Sequence, residues 1–350
     1  MPTVTINGAR INYVQLCEGD ATGREDLVMV HGLATNMAFW YFKYACEFAK
    51  QFRVTLFDLR GHGRSEMTPT GYAPANLARD MAGLLDHLRI DKAHFIAHSF
   101  GGVVTMSFAL KHMHRVKSMV LADTHIAAVR HVQTPQEWAY GRNIQSILDR
   151  HGFALDTRDT FFGYKLLTRV AHMQLNGVAV PSELMDLVNP VMNNASGRTA
   201  AQWLKLMDTT AAEAELMGDD GLAIDALRAF KFPIVAMYGE RSPARLTGTE
   251  LLKVWPHAAF RNIRDAGHFF PASRPQEVVL GCMRFWRGDL ANTLRRHRPG
   301  EARRSYFRSD RVFMTTGGWY FMTRETDRVG PFPESEQARA ALNSVIAPLR

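Results

Sequence analysis

Six consecutive residues, Ala97-His98-Ser99-Phe100-Gly101-Gly102, place a serine between a short apolar run and a stretch of helical periodicity. The run before it is Ala93-His94-Phe95-Ile96, and Val103 to Lys111 follows it. A serine at a sharp strand-to-helix turn sits on strained backbone with its hydroxyl exposed, and small residues two places either side relieve the crowding. Ala97 and Gly101 fill those places, alanine being a mild departure from the glycine that is common there. Such a hydroxyl is a candidate nucleophile, but at neutral pH it needs a neighbouring base to take its proton. The short pattern arises by chance in many chains, so its weight depends on the company it keeps.

That company is a set of elements ending at one place. Thr3-Val4-Thr5-Ile6 and Arg10 to Val14 flank Asn7-Gly8, a strong hairpin signal. Leu27 to Val30, Val54 to Phe57, Ala93 to Ile96, Ser118 to Ala122, Ile234 to Tyr238 and Ala259 to Ile263 read as strands, several of them apolar enough for burial on both faces. Helical patterns lie between them, at Met37 to Phe52 and Leu77 to Leu88. The alternation predicts an α/β fold with a mostly parallel, twisted sheet and helices on both faces. Right-handed crossovers then bring Gly32, Asp58, Ser99, Asp123, Glu240 and His268 to a single sheet edge.

Two segments break the alternation. Residues 125–225 are helical in character and rich in methionine (Met173, Met185, Met192, Met207, Met217) and aromatics, which predicts a helical lid inserted after the sixth strand. Such stripes serve either core packing or an apolar substrate pocket. The core would then be residues 1–124 and 226–290. Residues 291–308 read as an arginine-rich linker, and 309–350 as a hairpin around Gly317-Gly318, a turn at Gly330-Pro331-Phe332-Pro333, and a helix from Ser335 to Ile346. A hairpin and one helix are marginal alone, so contact with the main domain or with a partner is expected of this module.

With these motifs in order, the chain resembles the α/β-hydrolase superfamily over roughly residues 1–290. The resemblance rests on His31-Gly32, on Asp58-Leu59-Arg60-Gly61-His62-Gly63-Arg64-Ser65, on the turn at Ser99 and on Asp265-Ala266-Gly267-His268. It implies that His268 is the general base, and that the N–H groups of Leu33 and Phe100 hold the developing oxyanion. His98 is expected to point into the fold, while His31 and His62 shape loops. Most relatives carry an aspartate in a Gly-x-x-Asp string after the strand matching Ile234 to Tyr238; here the string is Gly239-Glu240-Arg241-Ser242. A serine cannot stabilise an imidazolium as a carboxylate does. Asp123, at the end of the preceding strand, is the first alternative, Glu240 the second, and a site with no acid the third.

A serine in this position argues against the carboxylate-nucleophile reactions of the superfamily. The resemblance implies hydrolysis of a carboxylic ester, thioester or lactone through an acyl-enzyme. Carbon–carbon bond hydrolysis and cofactor-free perhydrolysis reuse the same constellation, and a non-catalytic ligand-binding homologue is the rival of a different class. The expected partner is a small molecule with an apolar acyl part, with no cofactor and no metal, since the histidines and carboxylates do not cluster at ligand spacing.

The module at residues 309–350 resembles a short uncharacterised module attached to various bacterial proteins. Of the net charge of +8, the segment from Ala291 onward holds +5, carried by eleven arginines against six acids. The basic character therefore belongs to the tail, and nucleic acid is not an expected partner. No apolar run approaches membrane-spanning length, Met1 to Ile6 has no signal-peptide pattern, and three scattered cysteines fit reduced thiols. A cytoplasmic protein is expected.

Overall fold

The computed structural model describes residues 2–130, 139–159, 161–188, 197–289, 312–315, 318–321 and 329–346. The chain divides into two units, Met1–Thr293 and Leu294–Arg350.

The first unit is built on an eight-stranded sheet: β1 (Thr3–Ile6), β2 (Ala9–Leu16), β3 (Glu25–Val30), β4 (Phe52–Phe57), β5 (Ala93–His98), β6 (Val116–Ala122), β7 (Ile234–Gly239) and β8 (Ala259–Ile263). Their order is β1-β2-β4-β3-β5-β6-β7-β8, with β1 and β2 antiparallel to their neighbours and the rest parallel. The hairpin closes through Asn7 and Gly8, both at positive φ, with Ile6 paired to Ala9. Successive side chains of a strand face opposite ways. On β5 this alternation covers both faces: the Phe95 ring meets Phe108 of the helix Phe100–His112, and the His94 ring meets Trp286 of the helix Pro275–Trp286. Leu27 to Val30 are fully buried, as expected of a strand in the middle of such a sheet.

Between β6 and β7 the described chain is helical: Ala127–Arg130, Ala139–Arg150, Phe162–Leu175, Ser182–Val188, Arg198–Thr209, Ala212–Leu216 and Ile224–Leu227. Trp203 is buried and donates its indole N–H to Thr168 Oγ1 at 3.0 Å. Met207 is buried in the core, and Met173, Met185 and Met217 pack against it. Met192 lies outside the described residues.

In the second unit the structure corrects the expected turn at residues 330–333. Val329–Phe332 is a third strand, β11, antiparallel to β10 (Gly318–Phe321), which also pairs with β9 (Val312–Thr315). Pro331 is tolerated because β11 is an edge strand, and the stacked rings of Phe321 and Phe332 anchor it. Gly318 belongs to β10, paired with Thr315, rather than to the turn. The helix Ser335–Ile346 packs on this sheet with Ala338 and Leu342 buried. The stretch read as a linker lies outside the described residues. No helix among the described residues is long and apolar enough to cross a membrane.

Candidate active site

Two parallel strands, β5 and β6, end side by side, and the residue after each begins the site. Ser99 follows β5 with φ 54° and ψ −124°, and Asp123 follows β6 with φ 55°. Positive φ is uncommon outside glycine and marks backbone held by its surroundings. The main chain supplies that hold: the N–H of Ser99 donates to Ala122 O at 2.9 Å, and that of Asp123 donates to Met237 O at 2.8 Å. A Cβ at Gly101 would lie 2.5 Å from His31 O and 2.7 Å from Val30 O, so only glycine lets the helix Phe100–His112 start this close to β3.

His268 arrives from the loop after β8. Its Nε2 is 2.9 Å from Ser99 Oγ and its Nδ1 is 2.8 Å from Asp123 Oδ2. This loop crosses the end of β7 so closely that a Cβ on Gly239 would strike the carbonyls of Ala266 and Gly267 at 2.5 and 2.6 Å. Donation from Arg241 N–H to Ala266 O at 2.9 Å stitches the two segments together.

Asp123 is fully buried, and burial pushes its carboxyl above the ordinary range. Donors pull in the other direction: the His268 ring, the Ser242 hydroxyl on Oδ2, and the Gly239 main-chain N–H on Oδ1 at 2.7 Å. Position 242, read from sequence as a lost acid, thus presents a donor to the acid on the neighbouring strand end. Glu240 takes no part in that contact and instead accepts the N–H of Asp265 at 3.0 Å. Asp58 also stands apart, its carboxylate accepting the N–H groups of Met37 and Arg64 and the amide of Asn12.

Leu33 and Phe100 line a cavity of about 200 Å³ together with Ser99 and His268. Phe100 is the first residue of its helix, where N–H groups lack intrahelical partners. The Gly32–Leu33 peptide is oriented by its other end. The Gly32 carbonyl accepts from His31 Nδ1 and from Thr35 Oγ1, both at 2.7 Å, which turns the Leu33 N–H of the same planar unit the opposite way. His31 can serve as this donor because its Nε2 accepts the Leu59 N–H at 3.0 Å and burial keeps the ring neutral. Gly32 itself lies against Ser99, with room for a Cβ only 3.0 Å from the serine Cβ.

The rest of the described lining is mainly apolar, including Val103, Ile144, Phe161, Phe162, Leu216 and Leu246. Aromatics of the helical segment therefore reach the cavity, whereas no described methionine does. The wall also holds a polar pair that the sequence did not signal, His125 and Thr247, hydrogen-bonded at 2.9 Å.

Comparison with known proteins gives the fold a family. A family model described as alpha/beta hydrolase fold matches residues 27–275. The chain belongs to the α/β-hydrolase family. A domain of unknown function, DUF6316, matches residues 297–350 of this α/β hydrolase. The α/β-hydrolase chain is 33% identical over 123 residues to 3-oxoadipate enol-lactonase 2 of Acinetobacter baylyi, a stretch covering 35% of this chain and 44% of the lactonase. It is 25% identical over 291 residues to the soluble epoxide hydrolase of a Corynebacterium species, covering 80% of this chain and 95% of that protein. Among solved structures it is similar to Est816, described as an N-acyl homoserine lactone degrading enzyme. That likeness has 25% identity and a TM-score of 0.55, over 81% of this chain and 99% of the other.

Proposed function

We propose that this chain is a serine hydrolase that opens a carboxylic ester, thioester or lactone with an apolar acyl part. The observation that supports it most is the continuous chain from Ser99 Oγ through His268 to the buried Asp123 carboxylate, at 2.9 and 2.8 Å, beside a cavity whose lining is mainly apolar but includes Arg158, Asp159, Asp220 and Arg241. Ser99 Oγ attacks the carbonyl carbon while its proton passes to His268 Nε2. The Nδ1–H of the resulting imidazolium stays bonded to ionised Asp123. The N–H groups of Leu33 and Phe100 take the oxyanion. His268 then protonates the leaving oxygen or sulfur, and a water, deprotonated by the same ring, releases the acid and restores Ser99. The helices between β6 and β7 act as the lid, and the helical side chains in the cavity favour an apolar acyl group.

Similarity to an epoxide hydrolase does not extend to that reaction. A serine that opened an epoxide would form an ether, which water does not cleave under these conditions; a carboxylate nucleophile forms an ester, which water does cleave. A hydroxyl nucleophile is therefore suited to acyl transfer. The test is labelling by a fluorophosphonate, together with hydrolysis of p-nitrophenyl esters, acyl thioesters and lactones. Labelling and turnover in the parent that vanish in Ser99→Ala support the proposal. A parent that neither labels nor turns over any of the three classes overturns it.

A further inference from the structure

We infer that His98 is a positioning residue: its imidazole N–H holds the main-chain carbonyl of His268 and so sets where the base stands above Ser99. The inference rests on the serine-hydrolase reading, and its evidence is geometric. His98 is the last residue of β5, paired with Ala122 in the sheet and covalently joined to Ser99. Its side chain is completely buried, and Nε2 lies 3.0 Å from the carbonyl oxygen of His268, 170 residues away. That oxygen can only accept, so the ring proton sits on Nε2 and the tautomer is fixed.

The ring is clamped as well as bonded. It stacks on Phe39, with centroids 4.7 Å apart and planes 23° apart. It also meets the rings of His268 at 4.9 Å and Phe269 at 5.5 Å. Nδ1 lies against Gly32, where an added Cβ would come within 3.2 Å of it, and has no hydrogen-bond partner among the described residues. A buried, unsatisfied nitrogen costs free energy unless the other end of the ring gives something back. Burial, followed by the nearness of His268, holds the His98 ring neutral. A neutral ring can sit beside an imidazolium without like-charge repulsion, which a lysine or arginine donor could not do. One side chain thus joins the nucleophile turn to the base loop, and displacing that loop by a fraction of an ångström disturbs the geometry of both bonds of His268.

Three substitutions separate the donor from the ring. In glutamine the amide nitrogen stands as many bonds from Cα as Nε2 does, so His98→Gln keeps a donor for the His268 carbonyl. In asparagine it matches Nδ1, so His98→Asn leaves that carbonyl unmet, and His98→Met fills the space with no donor. His98→Gln is expected to stay within about threefold of the parent kcat on a p-nitrophenyl ester. His98→Asn and His98→Met should fall by about tenfold at unchanged KM, as for one lost positioning bond. The downfield proton resonance of the His268–Asp123 bond gives a readout independent of turnover: it should persist in His98→Gln and be lost in the other two. If His98→Met does not fold, the glutamine–asparagine pair carries the comparison. Equal rates and spectra in all variants, or a glutamine variant as impaired as the asparagine, overturn the assignment. A parent whose Ser99 does not react with fluorophosphonate defeats the serine-hydrolase reading instead, and the resonance still reports on the loop.

Discussion

Asp123 Oδ2 receives two donors, His268 Nδ1 and the Ser242 hydroxyl, and the aspartate side chain is itself fully buried. The proposed mechanism needs that carboxylate ionised, and burial opposes ionisation. Asp123→Asn keeps the shape and removes the charge, so kcat should fall by roughly 10³–10⁴ with the thermal unfolding midpoint nearly unchanged. Glu240→Gln should leave kcat within about twofold, because its carboxylate accepts the N–H of Asp265 and makes no contact with His268. The reverse ranking would transfer the acid role to Glu240. Ser242→Ala tests the donor itself. Hydrogen bonds to the charged form favour it, so removing one lets the Asp123 carboxyl rise further. The acid limb of the kcat/KM profile is then expected to move to higher pH, with the plateau at alkaline pH largely kept; an unmoved limb would exclude Ser242 from tuning the acid.

At the scale of elements, the site depends on how closely the helix Phe100–His112 approaches the end of β3. Gly101→Ala would put a methyl against two main-chain carbonyls, which cannot rotate away as a side chain can. The helix must shift, at a cost of about 1–3 kcal/mol. A clear fall in thermal midpoint is expected together with loss of fluorophosphonate labelling, since the Ser99 turn moves with the helix; labelling at the parental rate would contradict this. Such local rules explain what was legible from the residues. The strands, the Asn7-Gly8 hairpin, the Ser99 turn and the helix Ser335–Ile346 are specified by neighbours in sequence. What was hidden depends on distant partners. β11 carries a proline that reads as a turn until its edge position and the Phe321–Phe332 stack are seen. Ser242 reads as a missing acid until its hydroxyl is found on Asp123, and nothing in the string Ala97-His98-Ser99 announces that His98 reaches a carbonyl 170 residues away.

Over the whole of the first unit, His31, His62 and His98 are all buried and kept neutral. This couples folding to pH. Burial lowers His62 to about 4 from its ordinary 6.5, so between those values the unfolded chain binds a proton that the folded chain does not. Stability from such a group is complete above its ordinary value and is lost as pH falls toward 4. At pH 5, His62 alone withdraws on the order of 2 kcal/mol, and His31 and His98 act in the same direction. Asp123 acts in the opposite direction, because a raised carboxyl favours the folded state at low pH, but it is one group against three. The thermal midpoint should therefore drop by several degrees between pH 7.5 and pH 5. His62→Asn is the informative variant, since an asparagine amide stands where Nδ1 donates to Arg60 O at 3.0 Å and does not titrate. Its melting temperature should vary less steeply with pH than that of the parent, and an equal slope in the two proteins would remove His62 from the account.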